Sequence, residues 1–205
     1  MERRELLKMI AVLTGGAVIG GDVFLTGCTS GGTSATGFTA DNIALLDEVG
    51  ETIIPATDTP GAKATKIGEF MKIMVTDCYT DAQQKVFGDG LAGFNDACKK
   101  LNGKSFMECN ADQRKAFLVS LEKEAKEYNA KRDEKDKPAK EKAQKELDPN
   151  YVGSPSHYYT MMKQLTLLGY FTSEIGMKQA LRFLPVPGRY DGALPYKKGD
   201  KAWAI

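Results

Sequence analysis

From residue 38 onward, apolar residues recur mostly at three- and four-residue intervals, the period of one face of an α-helix. Ile43, Leu46, Val49 and Ile53 form the first such stripe, with Thr39 placed as an N-cap and Pro55 as a stop, so a helix is predicted over Phe38 to Ile54. The run Pro55-Ala56-Thr57-Asp58-Thr59-Pro60-Gly61-Ala62 then reads as a turn-rich loop. A second helix is predicted from about Ile67 to Tyr79, with Phe70, Met71, Met74, Val75 and Cys78 along one side. Thr80-Asp81-Ala82-Gln83 has the spacing of a capping box and opens a third, whose apolar positions are Val86, Phe87, Leu91, Phe94, Ala97, Cys98 and Leu101. Asn110 caps a fourth, carrying Phe117, Leu118 and Leu121. No segment combines sustained alternation with β-branched enrichment, so the expected fold class is all-α, a compact helical bundle.

Two stretches break the pattern. From Glu122 to Asp148 the chain is Lys, Glu, Asp and Ala with almost no large apolar residue, and Pro138 interrupts it in the middle. Such a segment is either a solvated helical protrusion laced with close opposite charges or a flexible insertion. The apolar pattern resumes at Ser154-Pro155-Ser156, which opens a helix with Tyr158, Tyr159, Met162, Leu165 and Leu168, continuing through Phe171 towards a further helix near Ile175 to Phe183. From Pro185 the helical period is lost among prolines, glycines and aromatics. This is an extended C-terminal arm laid over its own surface or a partner's, with Tyr190 and Trp203 as candidate docking residues, since large aromatics favour contact sites.

The first residues carry an address. Arg3-Arg4, then Leu6, Leu7 and Lys8, precede the apolar run Met9 to Ile19, which is too short and too rich in glycine to span a bilayer comfortably. The paired arginines resemble a twin-arginine export motif, with Leu6 where phenylalanine is more usual. Leu25-Thr26-Gly27-Cys28 resembles a bacterial lipobox, after which Cys28 becomes the lipidated first residue. Residues 1–27 are therefore expected to be a lipoprotein signal peptide and residues 28–37, rich in Ser, Thr and Gly, a flexible tether. Several acyl chains on one cysteine anchor a protein stably, at about 0.8 kcal/mol per buried methylene. The folded domain is residues 38–205, with 122–148 as its charged insertion, and the predicted location is the cell envelope, facing the periplasm.

Composition narrows the chemistry. The 205 residues include 28 Lys+Arg against 27 Asp+Glu, a formal net charge of +1, which gives no electrostatic footprint for nucleic acid. A single histidine, His157, rules out multi-histidine metal sites and more often plays a structural than a catalytic part. No glycine-rich dinucleotide or phosphate loop is present, and no Cys-x-x-Cys-His for covalent haem. In an oxidising compartment the cysteines favour a disulfide; Cys98 and Cys109, flanking the Asn102-Gly103 turn, are the best pair. Cys78 is then left over, as a core residue or a partner for another helix. Glu48, Glu51 and Asp58 are the carboxylates an enzyme would use, but Glu48 and Glu51 share a helix face, as solvated pairs commonly do.

Glu51-Thr52-Ile53-Ile54-Pro55-Ala56-Thr57-Asp58-Thr59-Pro60-Gly61-Ala62 resembles the signature segment of the gluconate 2-dehydrogenase subunit 3 family. Gly169 to Gly176 and Pro185 to Gly192 fit the same family, and the resemblance covers most of the chain after Phe38 apart from the charged insertion. It implies a non-catalytic, cofactor-free small subunit of a periplasmic sugar or sugar-acid dehydrogenase. The implied large partner carries FAD, oxidises an alcohol and passes electrons to a cytochrome c or quinone. The small subunit would support that partner's export, maturation and stability. The lipobox departs from family members with simple cleaved leaders and implies membrane anchoring as well. The alternative is a stand-alone periplasmic scaffold or binding lipoprotein. The family name does not make gluconate the substrate.

Overall fold

A computed structural model of the chain describes residues 38–186, 188–189, 191–195 and 197–204. Arg3, Arg4, Cys28, the tether and Tyr190 lie outside the described residues. Among the described residues five α-helices follow one another: α1 (Ala40–Ile53), α2 (Ile67–Cys78), α3 (Asp81–Asn102), α4 (Ala111–Glu146) and α5 (Tyr158–Thr172). No β-strand occurs among the described residues, so the fold is all-α.

Local chemistry sets the helix starts. Thr39 Oγ1 accepts the Asn42 N–H at 3.2 Å to cap α1. Thr80 and Asn110 form full capping boxes with Gln83 and Gln113 at the starts of α3 and α4. The start of α2 is different. Lys66 precedes it at φ 54°, with a side chain that accepts nothing, and the cap comes instead from α1, where Asp47 Oδ1 accepts the Gly68 N–H at 2.8 Å. A Cβ on Gly68 would sit 2.4 Å from the Ile43 carbonyl oxygen, a backbone atom that cannot swing aside, so α1 and α2 approach this closely only through glycine.

The last helix is the centre of the bundle. α5 packs against α1, α2, α3 and α4, and buries Tyr159, Met161, Met162, Leu165, Thr166, Gly169 and Tyr170. A helix touched on several sides needs apolar residues over most of its circumference rather than on one stripe. Phe94, Phe106 and Phe117 tie α3 to α4, with Phe94 meeting the other two rings edge-on at 5.3 and 5.2 Å. Such pairs add about 0.5–1.5 kcal/mol beyond the area they bury.

Several expectations are corrected. Pro138 does not interrupt the charged segment: α4 runs through it as one helix of 36 residues. Pro138 and Glu134, whose carbonyl loses a donor, both lie on the exposed side of the helix. Nor is the segment wholly solvated. Asn129, Arg132 and Asp136 lie at helical spacing and grip the returning chain. Asn129 Oδ1 accepts the His157 N–H at 3.0 Å, Arg132 Nη1 donates to Ser156 Oγ at 2.5 Å, and Asp136 accepts the Ser154 N–H at 2.7 Å. Consequently α5 begins at Tyr158 with His157 as its cap, later than the Ser-Pro-Ser step suggested.

Cys78 is not a core residue. It is exposed at the end of α2, because Met71 and Val75 fill the core and Tyr79, half-buried just beyond the helix, takes the next apolar place. Leu101 and Leu168, apolar by spacing, are also exposed. The helix expected near Ile175 to Phe183 is present but shorter, wound as a π-helix over Gly176–Ala180 and closed by Leu181 N–H to the Gly176 carbonyl at 2.9 Å. The helix cannot continue because Arg182 pairs in extended form with the tail, donating to Ala202 at 2.8 Å and accepting from Ala204 at 3.0 Å.

Two outcomes are expected. Gly68→Ala should lower stability to urea by about 1–3 kcal/mol through overpacking, outweighing the gain in helix propensity. His157 is buried; its Nδ1 accepts the Tyr159 N–H at 3.3 Å. Burial lowers its pKa below the ordinary 6.5, with Glu124 opposing. A lowered folded-state pKa means the folded state holds the proton less tightly than the unfolded chain, so stability present above pH 6.5 is lost as pH falls through the folded value. His157→Asn, which keeps a capping oxygen, should flatten that acid loss in melts across roughly pH 7 to 5.

Candidate functional site

The loop after α1 is fastened by a single carboxylate. Glu51, near the C-terminal end of α1, has one oxygen accepting the Ala56 N–H at 2.8 Å and the other accepting the Lys63 N–H at 3.0 Å. These donors lie on opposite sides of the loop. Ala62 N–H reaches back to the Ile54 carbonyl at 2.9 Å to close the neck, and Thr57 N–H bonds the Thr59 carbonyl at 2.9 Å to make the tip. From the central helix, Tyr170 donates its hydroxyl to the Pro60 carbonyl at 2.7 Å. A Cβ on Gly61 would lie 2.3 Å from both Glu51 oxygens, so any side chain there would displace the clamp. The backbone is thus committed inward while Pro55, Ala56, Thr57 and Asp58 face solvent.

One turn earlier on the same face, Glu48 organises a second set of contacts. It accepts from Lys63 Nζ at 2.8 Å and forms a short ion pair with Arg114 of α4. Arg114 also donates to the carbonyls of Phe106 at 3.0 Å and Met107 at 2.9 Å, and its guanidinium lies 5.4 Å from the Phe106 ring centroid. The Lys63 hydrogen bond, with the charges of Arg114 and Lys63, holds the Glu48 carboxyl below its usual range although burial pushes the other way. Glu48 in turn raises Lys63. Glu48 therefore stands as a carboxylate locked between two cations, a fastening rather than a base poised to take a proton. Beside it a cleft of about 300 Å³ opens between the end of α1 and the start of α4, lined by Glu48, Glu51, Thr52, Pro55, Asp112 and Arg114.

Of the residues singled out by sequence, Glu48 and Glu51 come together at this site, and Asp58 stands at the exposed loop tip. Cys98 and Cys109 are free, buried thiols whose sulfurs lie 3.7 Å apart. Trp203 packs on its own chain, with the Arg182 guanidinium 4.6 Å from its ring centroid, and is still 45% exposed. Sequence reasoning missed Lys63, Arg114 and Tyr170. Their partners are 15, 66 and 110 positions away, beyond any local spacing rule. Among the described residues no group of three or more His, Cys, Asp or Glu is placed to hold a metal ion, and no helix is long and apolar enough to cross a membrane.

The helical domain thus presents a loop fastened by Glu51, with Glu48 tied to Lys63 and Arg114 beside it. The family model for gluconate 2-dehydrogenase subunit 3 matches residues 40–188, and the chain belongs to that family. It is accordingly a small accessory subunit of a dehydrogenase complex whose catalysis belongs to a larger subunit. The matched stretch contains the clamp, the cleft and the whole of α5, and ends before Trp203. Searches of curated proteins and of solved structures found no match.

Glu51→Ala would leave two backbone donors without their charged acceptor. The expected loss is about 1–3 kcal/mol, since part of the site stays in contact with water. Hydrogen exchange at the Ala56 and Lys63 amides should accelerate while that of α3 stays slow; equal acceleration in both would mean the carboxylate does not fasten the loop locally.

Proposed function

We propose that the chain is the non-catalytic small subunit of a periplasmic, membrane-associated sugar or sugar-acid oxidoreductase, and that it supports export, maturation and anchoring of the large subunit. The observation that carries this is the Glu51 clamp inside the matched family segment. A loop whose backbone is fixed before binding loses little conformational entropy on meeting a partner, so an exposed tip on a rigid neck suits a permanent contact. A stripe of Leu167, Leu168 and Phe171 exposed on α5 adds apolar surface of the kind subunit interfaces cover.

In this proposal the large subunit holds FAD, and a cytochrome c subunit is a candidate acceptor of its electrons. Arg3 and Arg4 direct export of a folded complex, and Cys28 carries the lipid that keeps it at the membrane. Within the folded domain, Glu51, Lys63 and Tyr170 fix the loop, and Glu48 with Arg114 fixes the cleft wall behind it.

The test is purification of the tagged full chain from native membranes in mild detergent, followed by mass spectrometry and an absorbance scan. Wild type should bring down a larger flavin-containing subunit. Cys28→Ala should release the same complex into the soluble envelope fraction, and Glu51→Ala should reduce the recovered flavin severalfold. A colourless lipoprotein recovered alone, under conditions that keep other envelope complexes whole, would overturn the proposal in favour of a stand-alone scaffold.

A further inference from the structure

The turn between α3 and α4 holds two thiols that the clamp does not use. Cys98 is fully buried in the last turns of α3, and Cys109 is 5% exposed just before the α4 cap. Their sulfurs stand 3.7 Å apart, and Asn102 Nδ2 approaches Cys98 Sγ at 3.6 Å and the Gln113 carbonyl at 3.4 Å. The segment between them is tightly shaped. Gly103 at φ 72° caps α3, Ser105 and Glu108 form a capping box over a short 3-10 turn, and Asn95 Oδ1 accepts the Phe106 N–H at 3.1 Å. The fold holds the two sulfurs in van der Waals contact, the proximity that a bridge between these positions requires. Their buried location favours an inert structural bridge over a reactive exposed thiol.

We infer that Cys98 and Cys109 are a disulfide-forming pair whose closure locks the turn gripping Arg114, and through it the Glu48 wall of the cleft. Arg114 holds the carbonyls of Phe106 and Met107, both inside the ring the bridge would close, while pairing with Glu48. A fixed turn therefore fixes the guanidinium. The oxidant is another disulfide, small or protein-borne. The Cys109 thiolate attacks one sulfur of that disulfide and expels the first thiolate, giving a mixed disulfide. Cys98 then attacks the Cys109 sulfur and expels the second thiolate, which takes up the Cys98 proton. The cysteines lose two hydrogens and two electrons in all, and one oxidant disulfide becomes two thiols. The chemistry needs only the folded neighbourhood of the two thiols, so it stands or falls separately from lipid anchoring and from the larger subunit.

The test is refolding of the purified full chain in a mixture of reduced and oxidised glutathione, then alkylation and peptide mapping without reduction. A Cys98–Cys109 cross-linked peptide, with Cys78 alkylated, is expected. The oxidised protein should melt roughly 5–10 °C above its reduced form, a difference absent in Cys98→Ser and Cys109→Ser and retained in Cys78→Ser. Oxidation should also slow hydrogen exchange over residues 106–109. Alkylation of both Cys98 and Cys109, or linkages that run to Cys78 or Cys28 instead, would overturn the inference.

Discussion

The Glu51 carboxylate takes two backbone N–H groups from opposite sides of the loop after α1, and the surrounding architecture exists to let it do so. Gly61, having no side chain, leaves the carboxylate its space, Tyr170 anchors Pro60 from the central helix, and the Ala62 to Ile54 hydrogen bond draws the neck shut. Hydrogen bonds to an ionised acceptor are about twice as strong as neutral ones. One carboxylate can therefore hold an exposed loop that has little core of its own. Removing it would leave these exposed donors to water and free the two ends of the loop from each other.

The same logic links sites far apart in sequence. Glu48 shares a face with Glu51 and binds Lys63, whose backbone N–H is already held by Glu51. Glu48 also binds Arg114, which reaches to the turn carrying Cys109. A continuous set of contacts thus runs from the loop tip through α1 to the α3–α4 connection, and each member fixes the rotamer of the next. Isolated surface pairs such as Lys85 with Asp89 contribute little by comparison, because both side chains stay in water.

The apolar period made the helices legible, and the capping residues Thr39, Thr80 and Asn110 placed their starts to within a residue or two. Legibility failed where one side chain serves an element elsewhere. The α2 cap comes from Asp47 in α1, so no residue before Ile67 announces it. Asn129, Arg132 and Asp136 looked like part of a charged run, yet they carry the return of the chain, because polar docking leaves no hydrophobic signature. Pro138 broke a propensity rule without breaking the helix, and it does so on the exposed side. Cys78 followed the helical spacing of Met71 and Met74 but lies where α2 runs past the core. At the site, the pattern of Glu48 and Glu51 was visible; that both are fastenings rather than a solvated pair was not, because their partners come from distant positions.

The C-terminal arm shows how unevenly the domain is held. Among the described residues it is held by Arg182, which exchanges two backbone hydrogen bonds with the tail, stacks on Trp203 at 4.6 Å and lies 3.6 Å from Asp200, and by Lys201, whose ammonium donates to the Gln179 carbonyl. At about 1 kcal/mol for each backbone bond and a similar amount for an exposed cation–π contact, the contacts among the described residues are worth a few kcal/mol. That is a small share of what holds α5 in the centre, where a whole helix would have to leave four others. Local opening therefore reaches the arm before it reaches α5. Arg182 lies within the stretch that matches the family and Trp203 beyond it, so the arm's attachment joins the matched domain to residues outside it.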